Sequence, residues 1–138
     1  MPGLLIFSNH YPPASKAGGP LKSVSMLAEN LSRHRKTVVL TTDRDLGDDQ
    51  PFSNISLNTP ILRKGVTVHY LSSSLSQIRT TRSLLQDKSY SHIYLNELFS
   101  WRSGILPLLI SKWFYSQRVT VIVAPRGSLG KGALQQKY

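Results

Sequence analysis

Two glycines stand together at Gly18-Gly19, followed by Pro20 and then a cation at Lys22. A glycine pair lets backbone approach a ligand with no Cβ in the way. A helix begun at Pro20 turns unpaired N–H groups and partial positive charge toward the same spot. Lys22 adds a full charge within the first turn, and together these features suit a diphosphate. A tight strand-to-helix turn that needs a positive φ would use the same residues. Arg126, in Pro125-Arg126-Gly127, could pair bidentately with phosphate or carboxylate, or could be a surface arginine in a turn. Asn96-Glu97 offers one neutral and one anionic acceptor, suited to sugar hydroxyls or acid–base work. The same pair could simply cap a helix. Asp43-Arg44-Asp45 holds two carboxylates that could take a hard cation. With Arg44 between them and Gly47-Asp48-Asp49 after them, they read instead as a charged, solvated turn.

Other chemistries are excluded by spacing. The glycines do not form Gly-x-Gly-x-x-Gly, so the dinucleotide fingerprint is absent. Gly127-Ser128-Leu129-Gly130-Lys131-Gly132 fails as a P-loop: its glycines are too close, and Gly132 stands where a magnesium-binding hydroxyl belongs. The four histidines are scattered, and His69 reads as a packed strand residue. With no cysteine there is no disulfide and no thiolate zinc site. Neither a cofactor nor a metal is expected. The 17 Lys and Arg outweigh 7 Asp and Glu, a net charge of +10. That balance allows an anionic partner, whether nucleic acid, an acidic lipid surface or a phosphorylated small molecule, or simply a solvated basic surface. The cations are spread from Lys16 to Lys137, which argues against a nucleic-acid-binding tail. No apolar run reaches the 18 or so residues of a membrane span. No signal peptide is read at the start, and a cytoplasmic chain is expected.

The elements that must position these residues follow from hydrophobic periodicity. Short apolar or β-branched runs predict strands at 4–8, 37–42, 66–71, 92–95 and 119–124. Helical stripes predict helices at 20–34, 76–87 and 103–114, and a further one from Lys131. Residues 43–64, dense in Asp, Asn, Pro and Gly, read as a long loop. The alternation predicts an α/β fold, a Rossmann-like parallel sheet with helices on both faces. In such sheets ligands bind outside the carboxyl ends of the strands. The loops Asn9–Gly19, Asp43–Asp49, Asn96–Trp101 and Pro125–Lys131 should share that edge.

Taken in order, these loops resemble the N-terminal half of bacterial family-4-like glycosyltransferases of the two-domain GT-B fold. The residues that carry the resemblance are Asn9-His10-Tyr11-Pro12-Pro13 with Gly18-Gly19-Pro20-Leu21-Lys22-Ser23, Thr42 to Asp48, Tyr94 to Ser100, and Ala124-Pro125-Arg126-Gly127 with Lys131 to Leu134. The resemblance implies a single acceptor-side domain over 1–138 of a retaining-type enzyme. That enzyme moves a sugar from a nucleotide-sugar donor to a glycan or lipid-linked acceptor in surface polysaccharide synthesis. It implies that Gly18, Gly19 and Lys22 meet the donor diphosphate, and that Arg126, Asn96, Glu97 and Asp43 serve the acceptor or a phosphate. It assigns no catalytic base, because no histidine stands beside Arg126 or in the Asn96 loop. It implies work at the inner face of a membrane, with peripheral contact to anionic lipid and no nucleic-acid partner. The chain stops one or two turns into its last expected helix, so a fragment lacking the donor-binding half, inactive alone, is expected. The alternative is a stand-alone α/β module that binds an anionic ligand.

Overall fold

The computed structural model describes residues 2–97, 100–115 and 119–124. Arg126 and the helix expected from Lys131 lie outside them. A six-stranded sheet has the order β3-β4-β2-β1-β5-β6, with β1 Gly3–Phe7, β2 Thr37–Thr42, β3 Pro60–Arg63, β4 Val66–Leu71, β5 Tyr90–Leu95 and β6 Thr120–Val123. All pairings are parallel except β3 with β4. The helices are α1 Gly19–Ser32, α2 Ser74–Gln86 and α3 Leu106–Tyr115. The architecture is α/β and consistent with a Rossmann-like fold.

The sequence explains the layering. β1 is apolar throughout and wholly buried, as a strand covered on both faces must be. Its side chains alternate between two cores. Leu4 and Ile6 join Val39, Val68 and Tyr70 beneath Val24 and Ala28 of α1. Leu5 and Phe7 join Val38, Leu40, Ile93 and Leu95 on the opposite face, beneath Leu85 of α2, with Leu108 of α3 packed against them. The helices therefore cover both faces, as the alternation predicts. α2 begins with a capping box in which Ser73 and Ser76 satisfy each other's backbone N–H groups.

Two elements depart from expectation. Residues 60–63, read as loop, form the edge strand β3, whose register pairs Arg63 with Val66 and Pro60 with His69. The turn between them is only Lys64-Gly65, with φ of 48° and 83°, the doubly positive geometry that matches hairpin twist. Lysine in place of the usual asparagine hides that signal, and proline is tolerated on an edge strand. The expected helix 103–114 begins as a π-helical turn, Trp101–Ile105, and becomes α-helical only at Leu106. Pro107 has no N–H to return to the π turn, and the Arg102 carbonyl accepts from Gln77 Nε2.

His69 lies in β4, buried, and its Nδ1 has no hydrogen-bond partner among the described residues. Burial pushes its pKa below the ordinary histidine value. The unfolded chain therefore takes up this proton more readily than the folded one. The stability it contributes is present above the ordinary histidine pKa and is lost as pH falls through that range. Urea titrations between about pH 7 and pH 5 should show stability falling for the wild type. In His69→Val that slope should be flatter; equal slopes would show that His69 does not carry it.

Candidate functional site

From β1 the chain runs out through α1 to β2 and beyond, then returns through α2 to β5 on β1's other side. The crevice between the carboxyl ends of β1 and β5 is thus the switch point of the sheet, the usual ligand position in such folds. β2, β1 and β5 are parallel neighbours, so the loops after them share one edge. The sequence-predicted residues Gly18, Gly19, Lys22, Asp43, Asn96 and Glu97 all lie in or directly behind those loops.

The loop after β1 is pinned from several sides. Thr42 Oγ1, at the end of β2, donates to the Asn9 carbonyl at 2.6 Å. The hydroxyl of Tyr70 in β4 donates to the Pro12 carbonyl, beside the cis Pro12-Pro13 bond. Asp45 accepts from the backbone N–H groups of Ser15 at 2.9 Å, Lys16 at 3.2 Å and Leu46 at 2.7 Å. Burial pushes this carboxyl's pKa up, but those three N–H groups more than offset it and the net shift is downward. Lys16 and Asp48 close the far side with an exposed ion pair at 2.6 Å.

Gly18 ends this pinned loop at φ 72° and ψ −136°, a region closed to residues with a Cβ, and caps α1 with no side-chain hydrogen bond. A Cβ built on Gly18 or on Gly19 would meet nothing within 4 Å. The turn faces open space, and Lys22 is exposed one turn further on.

The other residues are engaged to different degrees. Asp43 is buried, and its two oxygens receive the fork of Arg44, from Nε at 2.9 Å and from Nη2 at 3.3 Å. Asn96 is fully buried at the switch point, where its amide donates to Ser8 Oγ at 3.3 Å. Glu97 is half-buried and accepts from Ser103 Oγ at 3.2 Å. Ser100 Oγ donates to Asn9 Oδ1 at 2.9 Å, which ties the β5 loop to the β1 loop. Asp43 and Asp45 are not the solvated turn residues that a charge run suggests. They are buried carboxylates: Asp43 is paired with its neighbour Arg44, and Asp45 takes two of its three donors from the β1 loop.

Sequence reasoning missed Arg102. Its guanidinium donates to the Leu71 carbonyl at 2.9 Å and to Gln77 Oε1 at 3.1 Å, joining the end of β4, α2 and the π turn. Burial pulls its pKa down, the nearby Asp43 raises it, and Arg44 lowers it further. Among the described residues, no group of three or more His, Asp and Glu could hold a metal ion. None of their helices is long and apolar enough to cross a membrane.

Chemically, the edge offers a bare backbone turn, the uncapped start of α1 and one mobile-length cation, beside a floor of hydroxyl and amide groups. Removing Asp45 tests how far this geometry depends on its clip. Asp45→Ala leaves three N–H groups without their acceptor. It should cost about 1.5–3 kcal/mol, the range for hydrogen bonds to a charged acceptor. Amide hydrogen exchange at Ser15, Lys16 and Leu46 should rise; unchanged exchange there would show that the clip does not hold the loop.

Comparison of the chain with family models, curated proteins and solved structures returned no match.

Proposed function

We propose that this domain is the acceptor-side, N-terminal half of a two-domain glycosyltransferase, of the kind its loops resemble. The reaction breaks the bond between the sugar's anomeric carbon and the donor diphosphate and forms a bond from that carbon to the oxygen of an acceptor hydroxyl, whose proton passes to the departing diphosphate or to solvent. Negative charge builds on the departing diphosphate. The observation that carries the reading is the Gly18-Gly19 turn. It has a glycine-only conformation, follows a loop pinned at Pro12, Ser15 and Lys16 by Tyr70 and Asp45, opens onto empty space at the sheet's carboxyl edge, and sits at the start of α1. Preorganised N–H groups of this kind stabilise developing negative charge without having to reorient.

In this reading Gly18, Gly19 and Lys22 face the donor diphosphate. Glu97 and Arg126 serve the acceptor side, over a floor set by the buried Asn96 and Asp43. The acceptor is a glycan or lipid-linked sugar made for the cell surface, and the enzyme works on the cytoplasmic side. A donor-binding domain supplies the second wall of the cleft. The test is product formation across a panel of nucleotide sugars and lipid-linked acceptors. The enzyme with both walls should turn over at least one pair, and the 138 residues alone should turn over none. Multiple turnover by the 138 residues alone would overturn the two-wall reading.

A further inference from the structure

Residues 43–59, the part of the expected loop that precedes β3, are pinned at two points. The Phe52 N–H donates to the Asp43 carbonyl at 2.8 Å, and the Asn58 N–H donates to the Tyr70 carbonyl at 2.8 Å. Asn58 has a left-handed φ of 60°, and its side chain bonds Ser72 twice, from Nδ2 to Oγ at 3.0 Å and from the Ser72 N–H to Oδ1 at 3.0 Å. Between these pins, Phe52, Ile55 and Leu57 pack against the core on the α1 side of the sheet.

Where this segment meets the β1 loop and β3 there is a shallow depression of about 270 Å³, lined by Pro13, Phe52, Ser53, Asn54, Ile55 and Arg63. Sites for drug-sized ligands run to about 300–1,000 Å³, so this one has room for a single ring. Phe52, Pro13 and Ile55 give it an apolar side. Ser53 and Asn54, both exposed, give it a hydroxyl and an amide. No acid is among the lining residues. Strand alternation puts Arg63 on the same face as Ile61, which packs on that core, and puts Leu62, 74% exposed, on the other. Arg63 is half-buried and makes no hydrogen bond or ion pair with a described residue, whereas Lys16, Lys36, Arg44 and Lys64 each have an acid partner. Burial pushes the hydroxyl pKa values of Tyr11 and Tyr70 up, and the charge of Arg63 opposes that push at both, which sets the guanidinium close to the β1 loop. Charges withdrawn from water are ordinarily paired, and the partner that fits here is an anion in the depression.

We propose that this depression binds a sugar ring carrying one anionic group, a carboxylate or a phosphate. The fork of Arg63 matches either anion bidentately. The electron-rich face of the Phe52 ring attracts the slightly positive C–H groups of a sugar. Ser53 and Asn54 can both donate to and accept from ring hydroxyls. A purely apolar acid would use Arg63 and Phe52 but leave that polar side unmatched. The proposal is independent of the diphosphate reading of the glycine turn, because no lining residue belongs to that turn and different amides report on each.

The experiment titrates the ¹⁵N-labelled 138-residue chain with glucuronate, glucose 6-phosphate, glucose and inorganic phosphate. It follows the backbone amides of Ser53, Asn54 and Ile55 and the side-chain amide of Asn54. Expected are saturating shifts with a charged sugar, at concentrations about tenfold or more below those that glucose or phosphate requires, the gain from one charge-assisted hydrogen bond. Of the two charged sugars, the one that saturates first identifies the anionic group. Arg63→Gln should weaken the charged sugar about tenfold, to the level of glucose, and leave glucose unchanged. Arg63→Lys, which keeps the charge and loses the fork, should restore only part of that affinity. Phe52→Leu should weaken all three sugars while leaving the circular dichroism spectrum unchanged. No response at these amides with any of the four compounds would overturn the proposal, as would equal affinity for glucose and the charged sugars. Inorganic phosphate that binds as tightly as glucose 6-phosphate would also overturn it, by showing a simple anion site. Shifts at Gly18 to Lys22 with none at 53–55 would overturn it and leave the glycine-turn reading standing.

Discussion

Gly18→Val in the assembled enzyme should lower the rate of sugar transfer by about 10² to 10³, the usual cost of losing one preorganised donor to a developing anion. Two effects combine in that variant. The φ of 72° is closed to a β-branched residue, so the turn must move or bear about 1–3 kcal/mol of strain. The new side chain would also enter the space where the diphosphate is proposed to lie. Gly19→Ala separates the two effects. No Cβ clash is present at Gly19, its φ lies outside the left-handed region, and it opens α1. Alanine there should keep or slightly raise thermal stability, because it lowers the entropy of the unfolded chain. The same variant should raise the apparent KM for the donor. Full activity in a folded Gly19→Ala would return the pair to a purely structural turn.

Tyr70→Ala should destabilise the domain by about 3–5 kcal/mol, the range for deleting a fully buried aromatic side chain. Tyr70 is completely enclosed, its ring meets Phe52 edge-on at 5.9 Å, and burial pushes its hydroxyl pKa up to about 12. Tyr70→Phe keeps that packing and removes only the bond to Pro12, so it should cost about 1 kcal/mol. Chemical denaturation of the two variants, with hydrogen exchange at Ala14 and Ser15, divides packing from loop-holding. Similar losses in both would mean that the hydroxyl, not the ring, dominates.

The parts of the fold that declared themselves in sequence were those with a strong period. Leu4 to Phe7 and Thr37 to Leu40 are buried on both faces and read directly as parallel strands. Leu21, Val24 and Ala28 trace the face of α1 that meets the sheet. β3 was hidden because its side chains alternate on a half-exposed edge and its hairpin turn is Lys-Gly. Residues 46–49 are exposed, as charge density suggests, but Asp43 and Asp45 are not, and Asp45 is buried among the backbone N–H groups that donate to it. Those partners, Ser15 and Lys16, lie about 30 residues away, and no local pattern announces them. Arg102 was invisible for the same reason: its partners come from β4 and α2. The glycine loop was legible in type, and the structure adds its φ, its anchors and the open space before it.

The account rests on the glycine turn meeting a nucleotide diphosphate, and a titration of the ¹⁵N-labelled domain with a panel of nucleotide sugars tests this most directly. Amide shifts that saturate at Gly18, Gly19, Leu21 and Lys22, and that inorganic pyrophosphate reproduces in part, are the predicted result. Shifts confined to other surfaces, or none at these four amides with any donor in the panel, would contradict it.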